Sequence, residues 1–303
     1  MAFMAHEQSR TYPKYDYVNV LRTEALKPPR GWNPSLCHRH PTFCRSRTTG
    51  MGMASSLLQL IDMLGIEEPL GISWADSVPV GSITPRPGVH SCVINWLRRA
   101  RKERICVHFT QEARNCMGGW YYLGWTHPAP EPMMQFVTVG LGDRKGEHYL
   151  QTPEDMRRFT DHLDIQLQAK PFCIAQPLTM FAEGEAQLAV FHAPMELMNG
   201  LCALSFFALN DHNAVALPFG SGCANIFAWP LYYVRHGRKR TVLGGTDPSC
   251  RPFMGMNEMS MAMPIDILDT LVDAAPHSFL AAKTWGAVRK KAEKDAARTA
   301  LER

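Results

Sequence analysis

Ala214-Val-Ala-Leu-Pro-Phe-Gly-Ser-Gly-Cys223 is a short apolar run that breaks at glycine and leads into a helical pattern, with a cysteine at the joint. A strand that hands over directly to a helix points to a mixed α/β fold. The joint also bears on chemistry. A Gly-rich turn leaves helix-start amides open, and a cysteine there meets the positive end of the helix dipole, which favours thiolate over thiol.

The pattern occurs twice. Pro87-Gly-Val-His-Ser-Cys92 precedes a helix ending in Arg101-Lys-Glu-Arg104, then a strand, then Cys116-Met-Gly-Gly119. Pro218-Phe-Gly-Ser-Gly-Cys223 precedes a helix ending near Arg238-Lys-Arg240, then a strand, then Cys250. The intervals are 24 residues from Cys92 to Cys116 and 27 from Cys223 to Cys250. Such an echo predicts an internal pseudo-repeat, with Cys92 and Cys223 converging on one pocket between two similar lobes. The expected class is α+β (mixed α/β), one domain of two lobes.

Start and stop signals predict further elements. Helices are expected from Ser55-Ser56 to Gly65, over Val93–Arg104 with Arg98, Arg99, Arg101 and Lys102 towards solvent, and from an N-cap at Thr152. Others are expected over Met195–Leu209, Cys223–Tyr233 with a break at Pro230, Ile265–Ala274 and Ala281–Glu302. Strands are expected at Leu70–Trp74, Ile105–Phe109, Met133–Val139, Leu188–His192, Ala214–Leu217 and Thr241–Gly244. Alternating Met254, Met256, Met259, Met261 and Met263 suit an apolar strand face or an adaptable surface. Trp120, Tyr121, Tyr122 and Trp125 crowd too closely for one strand face; they form core or an aromatic wall for a planar ligand.

Residues 1–52 are rich in Pro, Arg, Thr and Gly and carry no period; they read as a disordered extension or an over-extended gene start. Residues 53–275 form the folded domain and 276–303 a basic C-terminal helix. The net charge of +4 is unevenly spread. Residues 1–52 hold eight Lys/Arg against three Asp/Glu, and 279–303 seven against three, which leaves the middle acidic. That excludes a specific nucleic-acid reader built on a basic face. No apolar run reaches the roughly 20 residues of a membrane span, and no signal peptide opens the chain. A cytoplasmic location follows as the expectation, with the nine cysteines as thiols or ligands rather than disulfides.

Leu64-Gly-Ile-Glu-Glu-Pro-Leu-Gly71, Ser91-Cys92, Cys116-Met-Gly-Gly119 with Leu123-Gly124, Gly222-Cys223 with Trp229-Pro230, and Arg240-Thr-Val-Leu-Gly-Gly245 with Met263-Pro264 follow one another in order. Together they resemble the bacterial and archaeal domain of unknown function 169 family over about Leu57 to Leu271. The resemblance implies a cytoplasmic single-domain protein with recurring cysteines at Cys92, Cys116 and Cys223. It implies no reaction, and Cys250 has no counterpart in it.

Cys92, Cys116 and Cys223 are therefore the candidate ligands of a single soft metal ion or an iron–sulfur cluster, with Cys223 the candidate catalytic thiol. Gly118, Gly119, Ser221 and Gly222 are candidate ligand-binding positions, since glycine lets backbone approach a small molecule. A metal-free thiol enzyme is an alternative; it needs a base such as His90 or His108. A non-catalytic interaction or regulatory protein, with core cysteines and a methionine stripe meeting a partner, is another. Cys106, Cys173 and Cys202 read as core. Cys37-His-Arg-His-Pro-Thr-Phe-Cys44 mimics a zinc knot without the spacing of a common finger.

Overall fold

The computed structural model describes residues 51–86, 92–112 and 116–301. Residues 1–50, with the Cys37–Cys44 cluster, and His90 lie outside them. The mixed α+β expectation holds. A seven-stranded sheet runs in the order β2-β5-β1-β6-β9-β8-β7, comprising β1 (Leu70–Ala75), β2 (Val107–Thr110), β5 (Phe172–Pro177), β6 (Leu188–Pro194), β7 (Val215–Ala216), β8 (Thr241–Gly244) and β9 (Glu258–Pro264). A separate hairpin joins β3 (Gly140–Leu141) to β4 (Arg144–Lys145).

The sheet reads alike from both ends. Outward from the centre on one side, β1 pairs antiparallel with β5 and β5 with β2, and β2 meets Ile83 in a parallel bridge. On the other side, β6 pairs antiparallel with β9 and β9 with β8, and β8 meets β7 in parallel. The halves join at an antiparallel seam, where Leu70, Gly71 and Ile72 face Val190, Ala189 and Leu188.

Strand alternation sends side chains into two cores. Leu188 and Val190 of β6 enter the first core, and Ala189, Phe191 and Ala193 the second. The first core is capped by α2 (Val93–Glu103), α3 (Met117–Tyr122), α4 (Glu131–Val137), α5 (Pro153–Leu163) and α7 (Trp229–Arg235). The second is capped by α1 (Met51–Leu64), α6 (Met195–Leu209), α8 (Ile265–Ala274) and α9 (Lys283–Leu301). Met259, Met261 and Met263 lie on this second face and are buried there, so this part of the methionine stripe is strand core. Trp285 anchors α9 by burying its ring and donating to the Met63 carbonyl at 2.8 Å. Among the described residues no helix is long and apolar enough to cross a membrane.

Several expectations need correction. Met133–Val139 is not a strand: α4 occupies the segment, because Pro130-Glu131-Pro132 is a helix start and Met133 and Met134 bury on one face. Ser55 and Ser56 lie inside α1 rather than at its cap. The irregularity in the 223–233 helix precedes Pro230: Ala224–Ala228 is π-helical and α7 begins at Trp229. Arg101 is buried rather than solvated. Its Nη2 donates to both carboxylate oxygens of Glu258 at 2.9 Å, tying α2 in the first half to β9 in the second. His192 is buried beside this pair with its Nδ1 unpartnered. Burial, with Arg101 nearby, holds its imidazole down to about 3.

Candidate functional site

Four thiols from four separate turns line one cavity. Cys92 is the N-cap of α2 with an extended backbone and no side-chain cap bond. Cys116 is the N-cap of α3, and its Sγ accepts the Gly119 N–H at 3.4 Å. Gly119 is required by close packing: a Cβ there would stand 2.5 Å from Val93 Cγ2, where the starts of α3 and α2 press together. The far end of α3 is tied to the sheet by Trp74, whose Nε1 donates to the Leu123 carbonyl at 3.1 Å.

In the other half, the Gly-rich turn is strapped from two sides. Trp229 Nε1 donates to the Phe219 carbonyl at 2.8 Å, and Asn225 Nδ2 to Pro218 and Leu243 carbonyls at 3.3 Å each. Cys223 follows with a helical backbone, φ −67 and ψ −40, and is fully enclosed. Asp247 accepts the Gly222 N–H at 3.3 Å and caps its own turn through the Ser249 N–H at 2.9 Å and Oγ at 2.7 Å. The Cys250 thiol donates back to the Asp247 carbonyl at 3.1 Å. A Cβ on Gly222 would stand 3.2 Å from Ile94 of α2 and 3.3 Å from Cys250 Sγ, so the two halves meet at this glycine.

The cavity measures about 870 Å³ and is lined by Cys92, Cys116, Gly118, Gly119, Ser221, Gly222 and Cys223, all seven sequence candidates. Cys250 completes the set, although the resemblance gave no reason to expect it. Cys106 and Cys173 are buried away from it, and Cys202 packs against the second core. Tyr121, Tyr122 and Trp125 are buried in the first core, and Tyr122 also lines the cavity. Sequence reasoning missed Asp247, Tyr149 and the β3–β4 hairpin, all of which line the cavity. Asp247-Pro248-Ser249 is a cap signal that could have located the first of these.

The electrostatics overturn the expected thiolate. Burial pushes the Cys92 thiol up to about 11, helped by Cys116, and outweighs the lowering by α2 amides. Burial pushes Cys250 up to about 12, with Asp247 adding to it. Cys223 is raised well above the ordinary thiol range by burial, then by Cys116, Cys92, Cys250 and Asp247. A helix dipole is a partial charge in the first turn, and full desolvation of a thiolate exceeds it. These three thiols are protonated at neutral pH in the ligand-free protein.

The described lining residues include no histidine to serve as the base of a thiol nucleophile. His108 hydrogen-bonds Ser82 at 2.9 Å instead. No group of three His, Cys, Asp or Glu among the described residues is arranged to hold a metal ion. The basic helix ends are engaged internally: Arg99 pairs with Glu103, and Arg235 donates to the Leu163 and Asp164 carbonyls.

A family model described as DUF169, "Uncharacterised ArCR", matches residues 60–274. No curated protein matches the chain, and no solved structure does.

Proposed function

The chain belongs to the DUF169 family, and we propose that it is a ligand-binding protein whose site is the thiol-walled cavity, with Cys92, Cys116 and Cys223 as the contact residues and Cys250 as a fourth. The observation that carries this reading is the convergence of four free thiols, two from each half of the sheet, on one cavity of about 870 Å³. That volume suits an organic ligand or cofactor, being within the range of about 300–1,000 Å³ for such sites and far larger than an ion needs. The mirrored strand order supports an internal duplication that places the two thiol pairs around one pocket. Free thiols at all seven described cysteines support a reducing, cytoplasmic setting.

A second reading, a soft metal ion or iron–sulfur centre on Cys92, Cys116 and Cys223, is favoured by the clustering of protonated thiols. A soft cation would replace those protons and supply the positive charge the site lacks. Against it stands the lack of a ready-made metal-binding group among the described residues.

Purification without oxygen, followed by metal and sulfide analysis, a visible spectrum and native mass spectrometry, tests both, with Cys223→Ser beside the wild type. A retained organic mass lost in the variant supports the first reading. Iron or zinc lost in the variant supports the second. A protein that carries neither and takes up neither metal ions nor apolar probes overturns both.

A further inference from the structure

The cavity is not electrically symmetric. At its thiol end lies one carboxylate, Asp247, enclosed and hydrogen-bonded. At its mouth lie Arg144 and Lys145 of the β3–β4 hairpin, both exposed and neither in an ion pair among the described residues. Much of the remaining lining is apolar, with Tyr122, Met133, Phe136, Met156, Phe219 and Phe253.

The hairpin is held at the mouth by a ladder to the end of α4. Glu147, His148 and Tyr149 donate their N–H groups to the Phe136, Thr138 and Val137 carbonyls at 2.7, 3.0 and 2.9 Å. Gly140, at φ +88, leaves no room for a side chain, since a Cβ would stand 2.0 Å from the Arg144 carbonyl oxygen. The two cations are therefore carried on a fixed turn. Asp143, exposed at the hairpin tip, also lines the cavity.

Resting on the ligand-binding reading above, we propose that the ligand class is an apolar, ring-bearing anion: a flat body within the aromatic and methionine wall, and a carboxylate, sulfonate or phosphate seated on Arg144 and Lys145. Two cations against the one carboxylate of Asp143 leave the hairpin side net positive, and this orients such a molecule, because the same anionic group turned inward would meet Asp247 in a desolvated site. The neutral thiols meet the apolar end.

The test uses two fluorescent probes with the same rings, anilinonaphthalene sulfonate and uncharged phenylnaphthylamine. They are titrated against wild type, an Arg144→Ala/Lys145→Ala double variant, and Gly118→Leu. Position 118 accepts a side chain, since its nearest neighbours, Met133 Sδ and a Tyr122 ring carbon, are 3.8 Å away, and a leucine there takes space from the apolar wall that both probes need. The expected result is that the double variant binds the sulfonate about fivefold more weakly, the sum of two exposed ion contacts, and the neutral probe unchanged. Gly118→Leu loses both probes, and 1 M salt erases the difference between wild type and double variant. If Gly118→Leu loses both probes but the double variant binds the sulfonate like wild type, the anionic class is overturned while the cavity reading stands. If neither probe binds wild type, or Gly118→Leu binds both normally, the cavity reading falls and takes this proposal with it.

Discussion

The two halves of the sheet share a strand order but differ in what surrounds it. In the second half, β6 and β9 are covered on both faces, with α6 and α8 packed behind the cavity side. In the first, the rear of β1 is closed by the 3-10 turn Leu178–Met180 and by Phe181, whose ring would lie 2.6 Å from a Cβ on Gly71. The thiols follow this asymmetry. Cys223 and Cys250 are 4% and 3% exposed, whereas Cys92 and Cys116 are half-buried. Similar positions in two similar frames thus give an inner, enclosed pair and an outer, reachable one. Desolvation differs, and so does placement: Cys92 and Cys116 are N-caps with extended backbone, Cys223 is helical and Cys250 lies within a 3-10 turn.

The comparison can be broken first at the clamp between the halves. His192 is neutral when folded down to about 3, while the unfolded chain takes up its proton near 6.5. Stability is therefore complete above about pH 6.5 and falls by about 1.4 kcal/mol per pH unit as acid is added towards pH 3. Urea midpoints from pH 7 to 4 should show this slope, and His192→Leu should flatten it. Arg101→Met, at pH 7, strands Glu258 beside a buried histidine. Burial alone would raise the Glu258 carboxyl, and Arg101 is the main reason it stays low. The expected loss is about 3 kcal/mol by denaturant melting, and a loss below 1 kcal/mol would mean the halves do not depend on this contact.

Alkylation sharpens the inner–outer contrast. At pH 7.5, Cys92 should react about a hundredfold more slowly than an ordinary thiol, since about 11 stands roughly two units above the usual value. Cys223 should be slower still, and peptide mapping over time would order the sites. Equal rates for Cys92 and Cys223 would end the distinction. Gly119→Ala forces a Cβ into Val93 and should cost about 2 kcal/mol while leaving the second half's thiols as slow as before. The smallest effect is at Cys92. Serine is among the best N-caps and the thiol makes no cap bond, so Cys92→Ser should leave stability unchanged or raise it by about 0.5 kcal/mol. A variant that folds as well or better yet loses ligand identifies the sulfur as a binding group.

Elements bounded by strong local signals were legible in the sequence. Met195–Leu209, Thr241–Gly244 and Ile265–Ala274 have the observed ends, and Thr152 caps α5 in a full capping box. Segments whose state depends on partners were not. β5 follows Pro171, ends on Pro177 and is a strand because β1 and β2 flank it. The β3–β4 hairpin has two residues per strand, too few to show a period. At the site, the doubled Gly-rich joint and the spacing to a second cysteine pointed to residues that line the cavity, Cys250 included. Their protonation was not legible, because desolvation is set by Ile94, Tyr122 and the turn at Asp247, which the chain brings from distant positions.

The seam between β1 and β6 pairs three residues on each strand, while β6 and β9 pair seven. The cavity draws its walls from both sides of this short joint. A molecule can touch both walls at once, and binding to the folded state alone raises resistance to unfolding with the logarithm of ligand concentration above Kd. Thermal melting thus becomes a screen: of a collection of candidate compounds, those that raise the melting temperature are the ones that bind the folded state, and the natural ligand can be sought before any reaction is known.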